Sequence, residues 1–161
     1  MRTAVILLIL SAIIFVQSPA GAADLDLGKA ITIGNGPKTV IEFTDPDCPF
    51  CRKASKYFET RRDVTRHVFF FPLPRHLKAK EKIQYILSQP DRAGAYQEIM
   101  SGRMDSISKF DRITPKGIKL QEEQLDIAKK HKIDSTPTFM INGRIIEGFD
   151  LKKIEEALGS K

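Results

Sequence analysis

Both cysteines of this 161-residue chain lie in one segment, TDPDCPFCR, at the junction of a predicted strand and a predicted helix. The preceding residues KTVIEFT, Lys38–Thr44, are rich in β-branched and aromatic side chains and end at an Asp-Pro turn, which predicts a strand. Pro49 suits the first position of a helix, where its missing N–H leaves no bond unmade. Cys48 therefore caps the predicted helix, and Cys51 lies in its first turn.

The remaining chain alternates between strand-like and helical patterns. Four further segments have the composition of strands, namely residues 30–34, 64–71, 138–141 and 144–147, and Asn142-Gly143 predicts a hairpin between the last two. Helical periodicity marks residues 49 to about 62, 76–133 and 150–158, with breaks in the middle block at 89–91 and 102–117. Late in that block, Ile118, Leu125 and Ala128 are expected to share one apolar face of a helix. The order predicts an α/β fold.

The N-terminus predicts export. Met1-Arg2 is followed by the apolar residues 4–16 and then by small residues up to Ala23, which are the three parts of a cleaved secretory signal peptide. The apolar stretch is shorter than the roughly 20 residues that span a bilayer, so cleavage is favoured over an anchor. We expect residues 1–23 to be removed and residues 24–161 to form one domain, with a helical insertion at about residues 75–134.

The net charge of +6 does not indicate a charged binding surface. Basic residues interleave with acids, as in KAKEK at residues 78–82, which is typical of a solvated helix face. We therefore expect neither nucleic acid nor a stable membrane anchor among the partners.

Three roles are open to the two cysteines. A structural bridge would close almost no loop, and disulfide stabilisation grows with loop length. Zinc needs four ligands, and His67, His76 and His131 have no paired spacing near the cysteines, so no metal is expected. A redox couple agrees best with the position at the start of a helix.

The helix N-terminus favours a thiolate on Cys48, whose sulfur is expected to accept hydrogen bonds from the N–H groups of the first turn. A thiolate attacks disulfides, and Cys51 is close enough to resolve the resulting mixed disulfide. Asp45 and Asp47 either oppose the thiolate by their charge or serve only as turn formers, and the sequence leaves both roles open.

The segments FTDPDCPFC and STPTFMINGRIIEG together resemble the bacterial periplasmic disulfide-bond isomerase family, the DsbC and DsbG group of the thioredoxin superfamily. The resemblance covers about residues 36–159 and implies a thioredoxin-like fold, in which a helical insertion separates a βαβ unit from a ββα unit. It implies that Cys48 is the exposed nucleophile and Cys51 the resolving thiol. Thr136 and Pro137 would form a cis-proline loop that binds substrate backbone, and no cofactor would be required.

Two features depart from this resemblance. Glu42 lies at a strand position where the isomerase group usually has an apolar residue, and in this it is similar to thioredoxins and the periplasmic oxidase DsbA. The resemblance to those proteins implies that Glu42 exchanges a proton with the resolving thiol; the alternative is an outward-facing strand residue. The isomerases of the family dimerise through an N-terminal domain, and we expect no counterpart of that domain here.

The sequence thus predicts an exported, periplasmic thiol–disulfide oxidoreductase that isomerises or reduces disulfides in other exported proteins, with a partner protein that resets the cysteine pair. One alternative is a net dithiol oxidase that donates its own disulfide. The other is a binding module with an inert bridge.

Overall fold

The β-rich segment that precedes the cysteines forms the central strand of a mixed sheet. In the computed structural model, which describes residues 25–159, the strands are ordered β1-β3-β2-β4-β5. The central strand β2 pairs in parallel with β3 and antiparallel with β4, whereas β1 and β5 are antiparallel edge strands. The strand bounds are β1 (Ile31–Ile33), β2 (Lys38–Thr44), β3 (Val64–Phe70), β4 (Thr138–Ile141) and β5 (Arg144–Glu147).

The helices connect these strands as the periodicity predicted. Helix α1 joins β2 to β3, helices α2, α3 and α4 all lie between β3 and β4, and α5 follows β5. Their bounds are α1 (Pro49–Glu59), α2 (Ala79–Ser88), α3 (Arg92–Met100), α4 (Pro115–Lys130) and α5 (Leu151–Ala157). A 3₁₀ helix at Leu27–Lys29, which the sequence analysis did not predict, precedes β1.

Local signals explain most of the element boundaries. The side chains of Asp91, Thr114 and Asp150 each accept a backbone N–H in the first turn of the helix that follows them. Asn142 and Gly143 both have positive φ, as a two-residue hairpin turn requires. Helix α1 ends earlier than expected because the chain must turn back before Val64 pairs with Lys38.

The insertion formed by α2, α3 and α4 packs directly behind the cysteines. Cys48 and Cys51 belong to one buried cluster with the strand residues Val68 and Phe70. The same cluster contains side chains of the insertion, among them Ile83, Ile86, Tyr96, Met100 and Phe110. Within the insertion, Gly117 lets α4 approach α2 closely, since a Cβ at this position would lie 2.1 Å from the Ser88 hydroxyl oxygen.

The predicted apolar face of α4 is confirmed only at Ala128, which is buried. Ile118 is exposed and Leu125 is half-buried, and the side that packs inward carries Gly117, Leu120, Gln121, Gln124 and Ala128. The two glutamines are buried because this side of the helix meets backbone groups that need partners. The Gln124 carboxamide accepts the N–H of Phe70 at 2.9 Å and donates to the carbonyl of Lys29 at 2.6 Å.

The predicted signal peptide, residues 1–23, lies outside the described residues. Between residues 25 and 159, no helix is long and apolar enough to cross a bilayer. The predicted bounds of β2, β4 and β5 are confirmed, as is the break at residues 89–91. The second break spans residues 101–114 and is shorter than predicted, because α4 already begins at Pro115.

Candidate redox site

The two cysteines lie at the C-terminal end of β2 and the start of α1. Cys48 occupies the N-cap position, as predicted, and Cys51 lies in the first turn. Both are free thiols and both are buried, with exposed fractions of 2% and 0%. The expectation that Cys48 is exposed is therefore wrong for the dithiol form. Its thiol is turned inward and donates to the carbonyl oxygen of Thr136, with a sulfur–oxygen distance of 3.4 Å.

The loop before β4 brings Thr136 and Pro137 against Cys48. The peptide bond between these two residues is cis. The loop is tied to the hairpin because the N–H of Gly148 donates to the carbonyl of Pro137 at 2.7 Å. The Thr136 hydroxyl is buried and has no hydrogen-bond partner among the described residues, so this donor remains available to a thiolate on Cys48.

The surroundings of Cys48 favour its ionised form. The thiol of Cys51 donates a hydrogen bond that, against the effect of burial, lowers the pKa of Cys48 to about 5. The backbone N–H groups of Cys51 and Phe50 and the side chain of Thr136 lower it further. The predicted capping hydrogen bond of the Cys48 side chain is absent in the dithiol form, in which the thiol is a donor to Thr136.

Cys51 has the opposite preference. Burial in the core raises the pKa of the Cys51 thiol, and its hydrogen bond to Cys48 raises it further. The N–H of Asp45 donates to the Cys51 sulfur at 3.4 Å. The site therefore holds one sulfur that readily becomes an anion beside one that keeps its proton.

Asp45 organises the turn that presents the cysteines. Its buried carboxylate accepts the N–H groups of Asp47 and Leu73, both at 2.7 Å, and contacts the Nδ1 of His76 at 2.8 Å. These bonds connect the turn after β2 to the loop after β3, so the turn-forming role left open for Asp45 is present in the structure.

Asp47 belongs to a charge network that the sequence analysis missed. Lys82 donates to Asp47 at 2.6 Å and to Asp105 at 2.7 Å. Arg52 binds Asp105 through two hydrogen bonds, of 2.5 and 2.7 Å, and donates to the carbonyl of Pro46 at 2.7 Å. The hydrogen bonds from Arg52 hold the pKa of Asp105 well below its usual range.

The position of Lys82 was readable from the helical repeat. Lys82 lies at helical spacing from the apolar residues Ala79 and Ile86, and all three are on the buried face of α2. Its charge pointed instead to a solvated helix face, and only the tertiary structure reveals the carboxylates that it contacts.

Glu42 is buried, so the outward-facing alternative is wrong. Its carboxylate is 0% exposed and accepts a hydrogen bond from Arg66 at 2.9 Å. The Arg66 guanidinium lies over the rings of Phe58 and Tyr96, with its central carbon 5.1 and 5.4 Å from their centroids. The second oxygen of Glu42 has no partner among the described residues. Among residues 25–159, no hydrogen bond joins the side chains of Glu42 and Cys51.

The histidines are dispersed. His67 contacts Thr32, His76 contacts Asp45, and His131 follows the last residue of α4. Among residues 25–159, no group of three or more His, Cys, Asp or Glu side chains could hold a metal ion.

The sheet has this strand order, a C-x-x-C pair begins α1, and a cis-proline loop lies beside the pair. Together these three features define a thiol–disulfide oxidoreductase. The sequence profile of the thioredoxin-like domain matches residues 25–156. The chain therefore belongs to the thioredoxin-like family, and both the predicted fold and the predicted family are confirmed.

Solved structures support this assignment. A disulfide interchange protein from Neisseria gonorrhoeae is 31% identical, with a TM-score of 0.70, over 85% of this chain and 100% of that one. The catalytic domain of Proteus mirabilis ScsC is 22% identical (TM-score 0.62) over 81% of this chain and 88% of that one. A periplasmic thioredoxin-like protein from Salmonella enterica serovar Typhimurium is 16% identical (TM-score 0.58), with coverage of 81% and 88%. No curated protein sequence matches the chain.

Proposed function

We propose that the chain is an exported, periplasmic protein that isomerises or reduces disulfides in other exported proteins. In this proposal Cys48 is the nucleophile and Cys51 the resolving thiol, and Thr136 and Pro137 contact the substrate backbone. The observation that carries the proposal is the placement of the pair, with Cys48 at the start of α1 against the cis-proline loop and Cys51 fully buried. This placement lowers the pKa of Cys48 and raises that of Cys51.

The first step uses the Cys48 thiolate. It attacks one sulfur of a substrate disulfide, a bond forms between that sulfur and Cys48, and the other substrate sulfur leaves as a thiolate. Deprotonation also removes the hydrogen bond to Thr136, because a carbonyl oxygen can only accept. Loss of this bond frees the Cys48 sulfur to turn toward a substrate.

The second step decides between isomerisation and reduction. If another substrate thiolate attacks the mixed disulfide, Cys48 leaves as a thiolate and the substrate has a rearranged disulfide. If Cys51 loses its proton and attacks Cys48, the protein is left oxidised and the substrate reduced. The raised pKa of Cys51 slows this second route, which gives the substrate time to rearrange.

We further propose that Glu42 accepts the proton of Cys51 in the reductive route. Its complete burial and its unpartnered oxygen support this role. Arg66 pairs with the same carboxylate at 2.9 Å and holds it in place.

A second candidate is the net oxidase. The observation that favours it is again the lowered pKa of Cys48, because a stabilised thiolate favours the reduced protein and so makes the disulfide a stronger oxidant. The reduction potential separates the two candidates. A value of about −120 mV would indicate an oxidase, and a value well below about −180 mV would indicate an isomerase or reductase.

Export is proposed from the predicted signal peptide and from the periplasmic Salmonella relative. The substrates would then be exported proteins with thiols or disulfides, and a redox partner protein would reset the cysteine pair. Fractionation of cells that express the full chain tests this: cleaved protein is expected in the periplasm, and uncleaved protein retained in the cytoplasm would contradict it.

The mechanism is tested by trapping. The full chain carrying Cys51→Ser is expressed, and mixed disulfides are resolved by non-reducing electrophoresis and identified by mass spectrometry. We expect Cys51→Ser to accumulate covalent complexes that a reductant dissolves, and Cys48→Ser to accumulate none. An inert bridge predicts no complexes with either variant, and equal trapping by both would refute the assigned roles.

A further inference from the structure

The helical insertion contributes a buried cation beside the redox couple. Lys82, on α2, is only 4% exposed, and its ammonium group lies between the carboxylates of Asp47 and Asp105. Asp47 directly precedes Cys48 in the chain, and Asp105 belongs to the connection between α3 and α4. One lysine side chain thus joins the insertion to the turn that carries the nucleophile.

The network has equal numbers of positive and negative groups. Arg52, which directly follows Cys51, completes it by binding Asp105 through two hydrogen bonds and by contacting Asp47 at 3.8 Å. Two cations therefore face two carboxylates. The balance matters because an uncompensated carboxylate on Asp47 would disfavour a second negative charge on the adjacent Cys48.

Stability alone is a weak explanation for burying such a lysine. Taking a charge out of water is unfavourable, and well-packed apolar residues of similar volume often stabilise a protein as well as a buried ion pair does. The neighbours of Lys82 on α2, Ala79, Ile83 and Ile86, are all apolar and fully buried, so an apolar residue would suit the same face.

We propose that Lys82 is a positioning residue for the Cys48–Cys51 couple, which neutralises Asp47 and thereby sets the reduction potential of the pair. This inference rests on the proposed function, because it assumes that the two cysteines exchange a disulfide. In the oxidised protein neither sulfur is charged, whereas in the reduced protein Cys48 is an anion at neutral pH. A change in the local charge therefore acts on the reduced form alone.

The direction of the effect follows from this difference. Removal of the Lys82 charge leaves the network with an excess negative charge, which destabilises the reduced protein and lowers the reduction potential. Removal of the Asp105 charge leaves an excess positive charge, which stabilises the reduced protein and raises the reduction potential. Asp105 is more exposed than Lys82, so solvent screens its effect and the shift is smaller.

The test is a redox titration of the full chain after export, in glutathione buffers. Two reduced glutathione molecules supply two electrons and two protons to the Cys48–Cys51 disulfide, which gives the dithiol and one glutathione disulfide. We expect Lys82→Met to lower the equilibrium constant about tenfold, equivalent to about 30 mV. Asp105→Asn should raise it about threefold, and the double variant should lie between the two single variants, about threefold below the unmodified protein.

The matched control is Lys80→Met on the same helix. Lys80 is exposed, and its substitution changes the total charge by the same amount as Lys82→Met. We expect no measurable change in the equilibrium constant for this variant. If Lys82→Met does not fold, the test rests on Asp105→Asn alone, because Asp105 is more exposed than Lys82.

Opposite shifts for Lys82→Met and Asp105→Asn support the inference. Shifts in the same direction, or none, would mean that the network only holds the loop in place, and would overturn it. This failure differs from failure of the proposed function. If the unmodified protein formed no reversible Cys48–Cys51 disulfide in these buffers, the proposed function itself would be refuted.

Discussion

The Cys51 thiol is expected to be the main cause of the low pKa of Cys48. An ordinary cysteine, with a pKa of about 8.5, is only about 3% thiolate at pH 7, whereas a pKa of about 5 makes Cys48 about 99% thiolate. The hydrogen bond from Cys51 is the largest contribution to this shift. Replacement of Cys51 by alanine removes that donor but leaves the helix N-terminus and Thr136 in place.

The size of the effect can be worked out from the bond that is lost. A hydrogen bond to a charged group contributes about 1.5–3 kcal/mol, and a change of one pH unit in a pKa corresponds to about 1.4 kcal/mol. Cys51→Ala should therefore raise the pKa of Cys48 by about one to two pH units. Cys51→Ser retains a hydroxyl donor at the same position and should keep most of the low pKa.

The assay is the rate of alkylation of Cys48 by iodoacetamide as a function of pH, with the ultraviolet absorbance of the thiolate as a second readout. Both variants leave Cys48 as the only cysteine in the chain, so the signal belongs to one sulfur. If alanine and serine shift the midpoint equally, or if neither shifts it, the Cys51 hydrogen bond does not set the pKa and the reasoning is refuted.

Three further outcomes are expected. Arg66→Met should lower the free energy of unfolding, measured in urea, by about 3–5 kcal/mol, because it leaves Glu42 buried without its cation. Arg66→Met combined with Glu42→Met should recover most of the loss. Equal instability of the single and the double variant would argue against the ion pair. Thr136→Val should raise the pH midpoint of Cys48 alkylation, whereas Thr136→Ser should not. An unchanged midpoint in the Thr136→Val variant would mean that the hydroxyl does not reach the thiolate. As the pH rises from about 5 to 8, the reduction potential should fall by about 30 mV per pH unit, because reduction in this range binds a proton on Cys51 alone. Below pH 5 the slope should be steeper, because Cys48 also binds a proton. A single slope across both ranges would contradict the low pKa of Cys48.

The pH dependence of stability has the sign that these pKa shifts require. The pKa of Cys48 is lower in the folded dithiol protein than in the unfolded chain. Its contribution to stability is therefore fully present above the unfolded value of about 8.5 and is lost as the pH falls through about 5. Cys51, whose pKa is raised, contributes in the opposite sense and loses its stabilising effect as the pH rises above the unfolded value.

The junction between β2 and α1 was predictable because its signals are local. A run of β-branched and aromatic residues, an Asp-Pro turn and a proline at the first helical position each act within a few residues of the cysteines. The hairpin at Asn142-Gly143 was predictable for the same reason, since few residues tolerate the backbone angles of its turn. The assignment of a thiolate to Cys48 required only its place at the start of a helix.

The burial of Cys48 and Glu42 and the partners of Lys82 were not predictable in this way. Each depends on a contact with a residue far along the chain: the carbonyl of Thr136, the guanidinium of Arg66 and the carboxylate of Asp105. Hydrophobic periodicity indicates which side of an element faces inward, but it does not show whether a charged residue on that side will find a partner.

The sequence by itself thus determined the order of the strands and helices along the chain, the C-x-x-C pair and the position of its first cysteine at a helix start, because turn residues and periodicity act over short distances. Only the tertiary structure decided how burial and hydrogen bonds shift the pKa values of the two sulfurs and which charges stand beside the pair. Ionisation depends on burial and on donors and charges within a few ångströms, and those neighbours come from the helical insertion and from the cis-proline loop.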